Sequence, residues 1–220
     1  MSGENLRGAI VYASGMEQET ISRQFSPDEN GTLLEYVLDS VWTVADELNV
    51  AFKNDPDLSV VESISPFGAR IFNASGEENS VDPILSAFKN SKAELCILAT
   101  EKVPLLKPNV VLALFNAAQG YDLAIPRWND GRLEPLLAVY RGKALLRLAS
   151  SKIIPSGASV DAAMESFVNH LFDVKYVSIE EELAELDPEL DSFLKVVDGN
   201  SLTLARSKAS VRGTRMKKSD

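Results

Sequence analysis

The chain of 220 residues holds one cysteine and one histidine, and each scarcity removes a class of chemistry. Cys96 alone cannot close an intrachain disulfide. It lies in the apolar run Leu95-Cys96-Ile97-Leu98-Ala99 and reads as a buried thiol of a protein kept in a reducing, cytoplasmic setting. His170 sits in a helical pattern, which leaves no multi-histidine metal site and no histidine-based triad. No apolar run approaches the ~20 residues that span a bilayer, and no basic region followed by an apolar run opens the chain, so neither a membrane span nor a secretory leader is expected. Positive charge is also short. Lys and Arg number 22 against 32 Asp and Glu, a net charge of -10, which argues against nucleic acid as a general partner because phosphate backbones require a cationic surface.

Apolar residues make up 45% of the chain, enough to bury one large core, and one domain over residues 1–205 is the expectation. From Arg206 to Asp220 the charge reverses, with six basic residues against one acidic. This stretch, rich in Ser, Gly and Thr, reads as a basic, disordered tail that could tether an anionic partner.

Strands and helices alternate along the body. Gly8 to Tyr12 reads as a buried first strand. Leu33, Leu34, Val37, Leu38, Val41 and Val44 recur at steps of three and four and mark one face of a helix. Leu48–Phe52 and Ala69–Asn73 follow as strands, with a connection between them that the pattern leaves open. Ile84, Leu85 and Phe88 mark a helix. Leu95–Ala99, the most apolar strand, belongs at the sheet's centre. A helix built on Val110, Val111, Leu114 and Phe115 ends at Gly120. Leu123–Pro126 and Leu133–Tyr140 flank the turn Trp128-Asn129-Asp130-Gly131, whose Asp-Gly pair signals a hairpin. Helices over 143–150 and 160–172, a strand at Val174–Val177 and an acidic helix from Ile179 complete the body. The layout is that of a three-layer α/β/α sandwich, a mostly parallel sheet with an appended antiparallel hairpin.

Ligands of such sheets sit beyond the carboxyl ends of the strands, which directs attention to the segments opening at Ala13 and Thr100. The first is the place for a phosphate-cradling turn joined by a cation; the second is the place for a magnesium-binding Asp.

Three stretches carry a family resemblance: Gly31-Thr32-Leu33-Leu34-Glu35-Tyr36-Val37-Leu38; Ala124 to Arg127 with Asp130-Gly131-Arg132-Leu133-Glu134-Pro135-Leu136-Leu137-Ala138-Val139-Tyr140-Arg141; and Asp187-Pro188-Glu189-Leu190 before Ser192-Phe193. The chain from residue 8 to about 205 resembles the molybdenum cofactor guanylyltransferases, of nucleotide-diphospho-sugar transferase-like fold, which join GMP from GTP to molybdopterin and release pyrophosphate. The second stretch is similar to the family's DGRLQPLFALYR strand.

The resemblance also locates three departures. Where the family has Leu-Ala-Gly-Gly-x-Ser-x-Arg-Met-Gly-x-x-Lys, this chain reads from Tyr12-Ala13-Ser14-Gly15 to Arg23-Gln24, with Glu19 and Gln24 at the places of the Arg and Lys. Two unit charges ~4 Å apart interact by ~4 kcal/mol at an effective dielectric of ~20, so that sign reversal weakens triphosphate binding unless Arg23 moves into place. The family's Cys-Asp-x-Pro becomes Glu101-Lys102-Val103-Pro104, which puts Lys102 at the metal-binding Asp. The family's Phe-Asn-Ile-Asn-Thr-Pro appears as Leu194 to Gly199, where Asp198, read as ending a short strand, is the available replacement for an asparagine.

The resemblance thus implies a nucleotide site of Tyr12, Ala13, Ser14, Gly15 and Asn54, with Arg23 and Lys102 as catalytic cations and Glu101 as the ligand of Mg²⁺. GTP is the implied substrate and molybdopterin the implied acceptor. Apart from the resemblance, Trp128 at its hairpin turn reads either as an exposed anchor for a protein partner or as a lid for a base, and the basic tail is a second candidate contact for a protein partner. Three functions are open: a guanylyltransferase, a noncatalytic binding or regulatory relative that keeps the fold, and a nucleotidyltransferase with another acceptor.

Overall fold

The computed structural model describes residues 6–14, 25, 31–73, 81–151, 153, 158–171 and 173–216, with side chains as far as 209. Its strands are β1 (Arg7–Ala13), β2 (Glu47–Phe52), β3 (Arg70–Asn73), β4 (Leu95–Thr100), β5 (Leu123–Arg127), β6 (Ala138–Arg141) and β7 (Val174–Ser178). They form one sheet in the order β3-β2-β1-β4-β6-β5-β7, in which β6 runs antiparallel to both neighbours and every other pairing is parallel. The apolar strand Leu95–Thr100 occupies the central position, and all six of its residues are buried.

Side chains alternate across the sheet and divide the core. Ala9 and Val11 of β1 and Ile97 and Ala99 of β4 face α1 (Leu33–Trp42), α2 (Leu58–Ile64) and α4 (Pro108–Ala117). Ile10, Tyr12, Cys96 and Leu98 face α3 (Asp82–Asn90), α5 (Gly142–Ala149) and α6 (Val160–Val168). The expected three-layer sandwich is present. Gly8 is required where β1 enters the sheet, since a Cβ there would stand 2.6 Å from Cys96 Sγ and 3.0 Å from Ala93 Cβ.

Helix α1 starts where Thr32 and Glu35 form a capping box: Thr32 Oγ1 accepts from Glu35 N at 3.2 Å and Glu35 Oε2 accepts from Thr32 N at 2.6 Å. Helix α2 fills the connection that the apolar pattern left open. Of its residues only Ile64 is buried, and Leu58 is 80% exposed, so it has no apolar stripe to read. The hairpin region is less simple than two strands around a turn. Gly131 takes φ +90°, Arg127 and Leu133 form an isolated bridge, and the chain then turns again, with the Tyr140 hydroxyl donating to the Pro135 carbonyl at 2.8 Å, before β6 inserts between β4 and β5. The acidic helix from Ile179 is one π turn, Ile179–Leu183.

The composition of residues 206–220 suggested a disordered tail, but α7 runs from Gly199 to Met216. Its first turns are held by burial: Leu202 and Ala205 pack with Phe25, Leu33, Leu105 and Val196. Lys208 pairs with Glu189 at 2.8 Å and Asp191 at 2.7 Å. A short polar run therefore extends a helix that apolar contacts have already nucleated. Asp198, expected to end a strand, instead caps this helix, accepting from Ser201 N at 2.8 Å.

The segment leading to α7 is fastened by a buried polar cluster. Asp187, fully buried, accepts from Lys107 Nζ at 2.5 Å and from Ser192 N at 2.7 Å, and Ser192 Oγ accepts from Lys107 N at 3.0 Å. Burial acts to raise the Asp187 pKa, but the bonds from Lys107 and Ser192 outweigh it and hold the carboxyl below its ordinary value. Lys107→Ala should therefore destabilise the protein by about 3 kcal/mol at neutral pH by leaving a buried carboxylate without its cation. Because the folded pKa is the lower one, the wild-type advantage is present above the unfolded value near pH ~4 and fades as pH falls through the folded value. Urea denaturation of both proteins at pH 7 and pH 3 checks this; an equal difference at both pH values would count against it.

Candidate active site

Strand β1 is the switch point of the sheet, because the chain passes from β1 outward to β2 and β3 on one side and to β4 on the other. The Val11↔Ala99 and Tyr12↔Thr100 pairs of the β1–β4 ladder bring Ser14 and Glu101 to one place at its carboxyl end. Glu101 prolongs the pairing, donating its backbone N–H to the Tyr12 carbonyl at 3.1 Å. Its side chain then turns back onto the end of β1. Oε1 accepts from Ser14 N at 2.9 Å and from Ser14 Oγ at 2.8 Å, and Glu101 is 7% exposed.

Of the residues expected to hold nucleotide, Ser14 is the one the fold brings against Glu101. Ala13 is buried in the core, and its carbonyl accepts from Lys53 N at 3.0 Å. This contact sets exposed Asn54 beside the end of β1. Tyr12 is a core residue, packed with Ile10, Ala51 and Ile84. Its phenol is pushed up to about 12 by burial, with the charges of Glu101 and Asp161 adding to the shift. Lys102 is half-buried and forms no ion pair among the described residues, whereas Lys107 and Lys195 are both paired. Gly15 and Arg23, and with them Glu19 and Gln24, lie outside the described residues.

Magnesium binds through oxygens in octahedral geometry, commonly one or two carboxylates together with substrate phosphates. Glu101 is the carboxylate at this point, its Oε1 already accepts twice from Ser14, and an ammonium group follows it in the chain. Among the described residues no three His, Cys, Asp or Glu converge. Glu101 and Ser14 by themselves complete no magnesium site among the described residues.

A second set of polar residues lies on the hairpin side. Glu134, 4% exposed, accepts from Trp128 Nε1 at 2.9 Å and pairs with Lys195 at 2.6 Å. Trp128 was open to two readings, an exposed anchor for a partner or a lid for a base. It is half-buried, edge-on to Phe193 at 5.8 Å between centroids, with Arg132 over its ring, because its indole N–H finds a buried carboxylate. Arg127 to Gly131, with Ser178 and Glu181, line an open cleft of about 400 Å³ beside it. The Lys195 segment reaches the first site as well, since Val196 N donates to the Lys102 carbonyl at 2.7 Å. Reading the sequence singled out none of Asp161, Glu134 and Lys195, which the fold sets near these two sets of residues. Glu134 was signalled by the carboxylate standing where the similar strand has Gln; the other two carried no local mark.

The model of the MobA-like NTP transferase domain matches residues 13–166, more than half of the chain. The chain belongs to this family. The probable molybdenum cofactor guanylyltransferase of Methanosarcina mazei is 28% identical over 199 residues, covering 87% of this chain and 86% of the relative. That of Methanosarcina acetivorans is 28% identical over 201 residues, covering 86% and 85%. Among solved structures, molybdopterin-guanine dinucleotide biosynthesis protein A from Archaeoglobus fulgidus has the same fold, with a TM-score of 0.68 at 21% identity over 93% of this chain and 99% of that one. So does the 4-diphosphocytidyl-2C-methyl-D-erythritol synthase of Anaerococcus prevotii, at 0.67 and 15%, over 94% and 99%. The family thus agrees with the resemblance carried by the Gly31, Ala124 and Asp187 stretches.

The raised Tyr12 pKa has a consequence for stability. Folding favours the protonated phenol, so this contribution is complete below the unfolded pKa near ~10 and is lost as pH rises through about 12. Tyr12→Phe should therefore lose less stability than wild type between pH 9 and pH 11 in chemical denaturation, and parallel losses would refute the assignment.

Proposed function

We propose that the chain is a guanylyltransferase-like protein that binds GTP at the carboxyl ends of β1, β2 and β4 and holds the triphosphate with Lys102 in place of a divalent cation. Molybdopterin is the proposed acceptor by analogy with the archaeal relatives, and the cytoplasm is the proposed setting because the one cysteine, Cys96, is a buried free thiol. The observation that carries the reading is the position of Lys102. It follows Glu101 directly at the end of the central strand, half-buried and without an ion-pair partner among the described residues. An ammonium group there cannot ligate a metal, but it supplies a fixed positive charge to a phosphate. Ser14 and Asn54 flank the same strand ends and are the proposed polar contacts.

The engagement of Glu101 by Ser14 supports a second reading, in which the family fold is kept as a noncatalytic nucleotide or pterin binder. The two differ in whether GMP is joined to the acceptor. Calorimetric titration of the full chain with GTP, ATP and CTP, with and without Mg²⁺, tests what both share. The expected result is GTP binding that survives EDTA and falls about tenfold in Lys102→Ala, the worth of one charge-assisted contact. Strict magnesium dependence, or equal affinity in the variant, would overturn the site. A transfer assay with molybdopterin then separates enzyme from binder.

A further inference from the structure

We infer that Glu101 is an internal occupant of the phosphate site: its carboxylate takes the donors of Ser14 that would otherwise meet a nucleotide phosphate, so that ligand must displace it. The inference rests on the proposed nucleotide site and concerns its regulation. Two observations combine. The first is geometric. One carboxylate oxygen accepts from both the backbone N–H and the hydroxyl of Ser14, at 2.9 and 2.8 Å, at the switch point of the sheet. A backbone N–H at the end of the first strand, joined by a hydroxyl, is the donor set that binds a phosphate oxygen in such folds. Here an anion carried by the chain already satisfies it.

The second observation is that the backbone fixes Glu101 at this place, independently of its bonds to Ser14. The glutamate is held in place by the sheet, its N–H bonded to the Tyr12 carbonyl at 3.1 Å and its side chain buried. Asp161, at the start of α6, adds a second negative charge that acts on Tyr12. An incoming triphosphate therefore meets occupied donors and like charge at Ser14, with Lys102 as the attracting group beside them. Removing the charge at residue 101 should open the site, whereas removing it from a metal ligand would close one.

The test is titration of GTP and of inorganic pyrophosphate, in EDTA, into full-length wild type, Glu101→Gln, Glu101→Ala and Lys102→Ala. Glu101→Gln preserves the shape and an acceptor for Ser14, and thermal unfolding of each variant establishes that it is folded. The expected result is GTP binding about tenfold tighter in Glu101→Gln and in Glu101→Ala, a gain of about 1.4 kcal/mol. Binding equal to or weaker than wild type in both folded variants would overturn the inference. The underlying site has its own readout. If Lys102→Ala weakens GTP binding while the Glu101 variants do not strengthen it, the internal anion alone is refuted; if no protein in the series binds GTP or pyrophosphate, both ideas fall. Should Glu101→Gln alone misfold, Glu101→Ala decides the question.

Discussion

The parallel pairing of β1 with β2 on one side and β4 on the other is the constraint from which the rest of the molecule follows. It requires β1 to be apolar on both faces, because helices cover the sheet above and below. It also requires the chain to leave β1 in one direction and return to β4 from the other, which opens a crevice at their carboxyl ends. Gly8 shows how tight the pairing is at its beginning, where Cys96 Sγ occupies the space of a Cβ. Glu101 shows how far it extends at its end, where the ladder continues one residue past β4 and aims a carboxylate at Ser14.

Against this rigid centre, the segment from Asp187 to α7 acts as a fastener. The Lys107–Asp187–Ser192 cluster ties it to the start of α4. The Val196 N–H then ties it to the carbonyl of Lys102, a residue of the candidate phosphate site itself. Lys195, between these anchors, is thereby set against buried Glu134, so that the hairpin side and the strand-end side of the crevice share one structural support.

Much of the fold could be read from the sequence because burial leaves a periodic trace. The two-sided strands at Gly8–Tyr12 and Leu95–Ala99 and the stripe from Leu33 to Val41 are direct records of what each element faces. Helix α2 was not legible because it buries little besides Ile64. The helical course of 206–216 was hidden because its cause, the packing of Leu202 and Ala205 on Phe25 and Leu33, lies before that stretch and far from it in the chain. The site was legible in part. Position along the strands pointed to the segments opening at Ala13 and Thr100 and the resemblance to Ser14, Glu101 and Lys102 within them, but neither pointed to the bond between Ser14 and Glu101, since a contact across 87 residues leaves no local signature. The half-burial of Trp128 was hidden for the same reason: whether a hairpin indole stands in water depends on a partner such as Glu134, and the turn residues themselves do not record it.

Phe25 is fully buried, and its neighbours in the third core cluster include Val196, Leu202 and Ala205. Its ring also stands edge-on to Tyr36 at 4.6 Å between centroids. Phe25 is thus covered in part by residues that lie far beyond it in the chain. On a ribosome, which releases the chain from its amino end, the central strands can pair long before this cluster can close. Until Leu202 and Ala205 of α7 have been made, the ring of Phe25 lacks part of its cover.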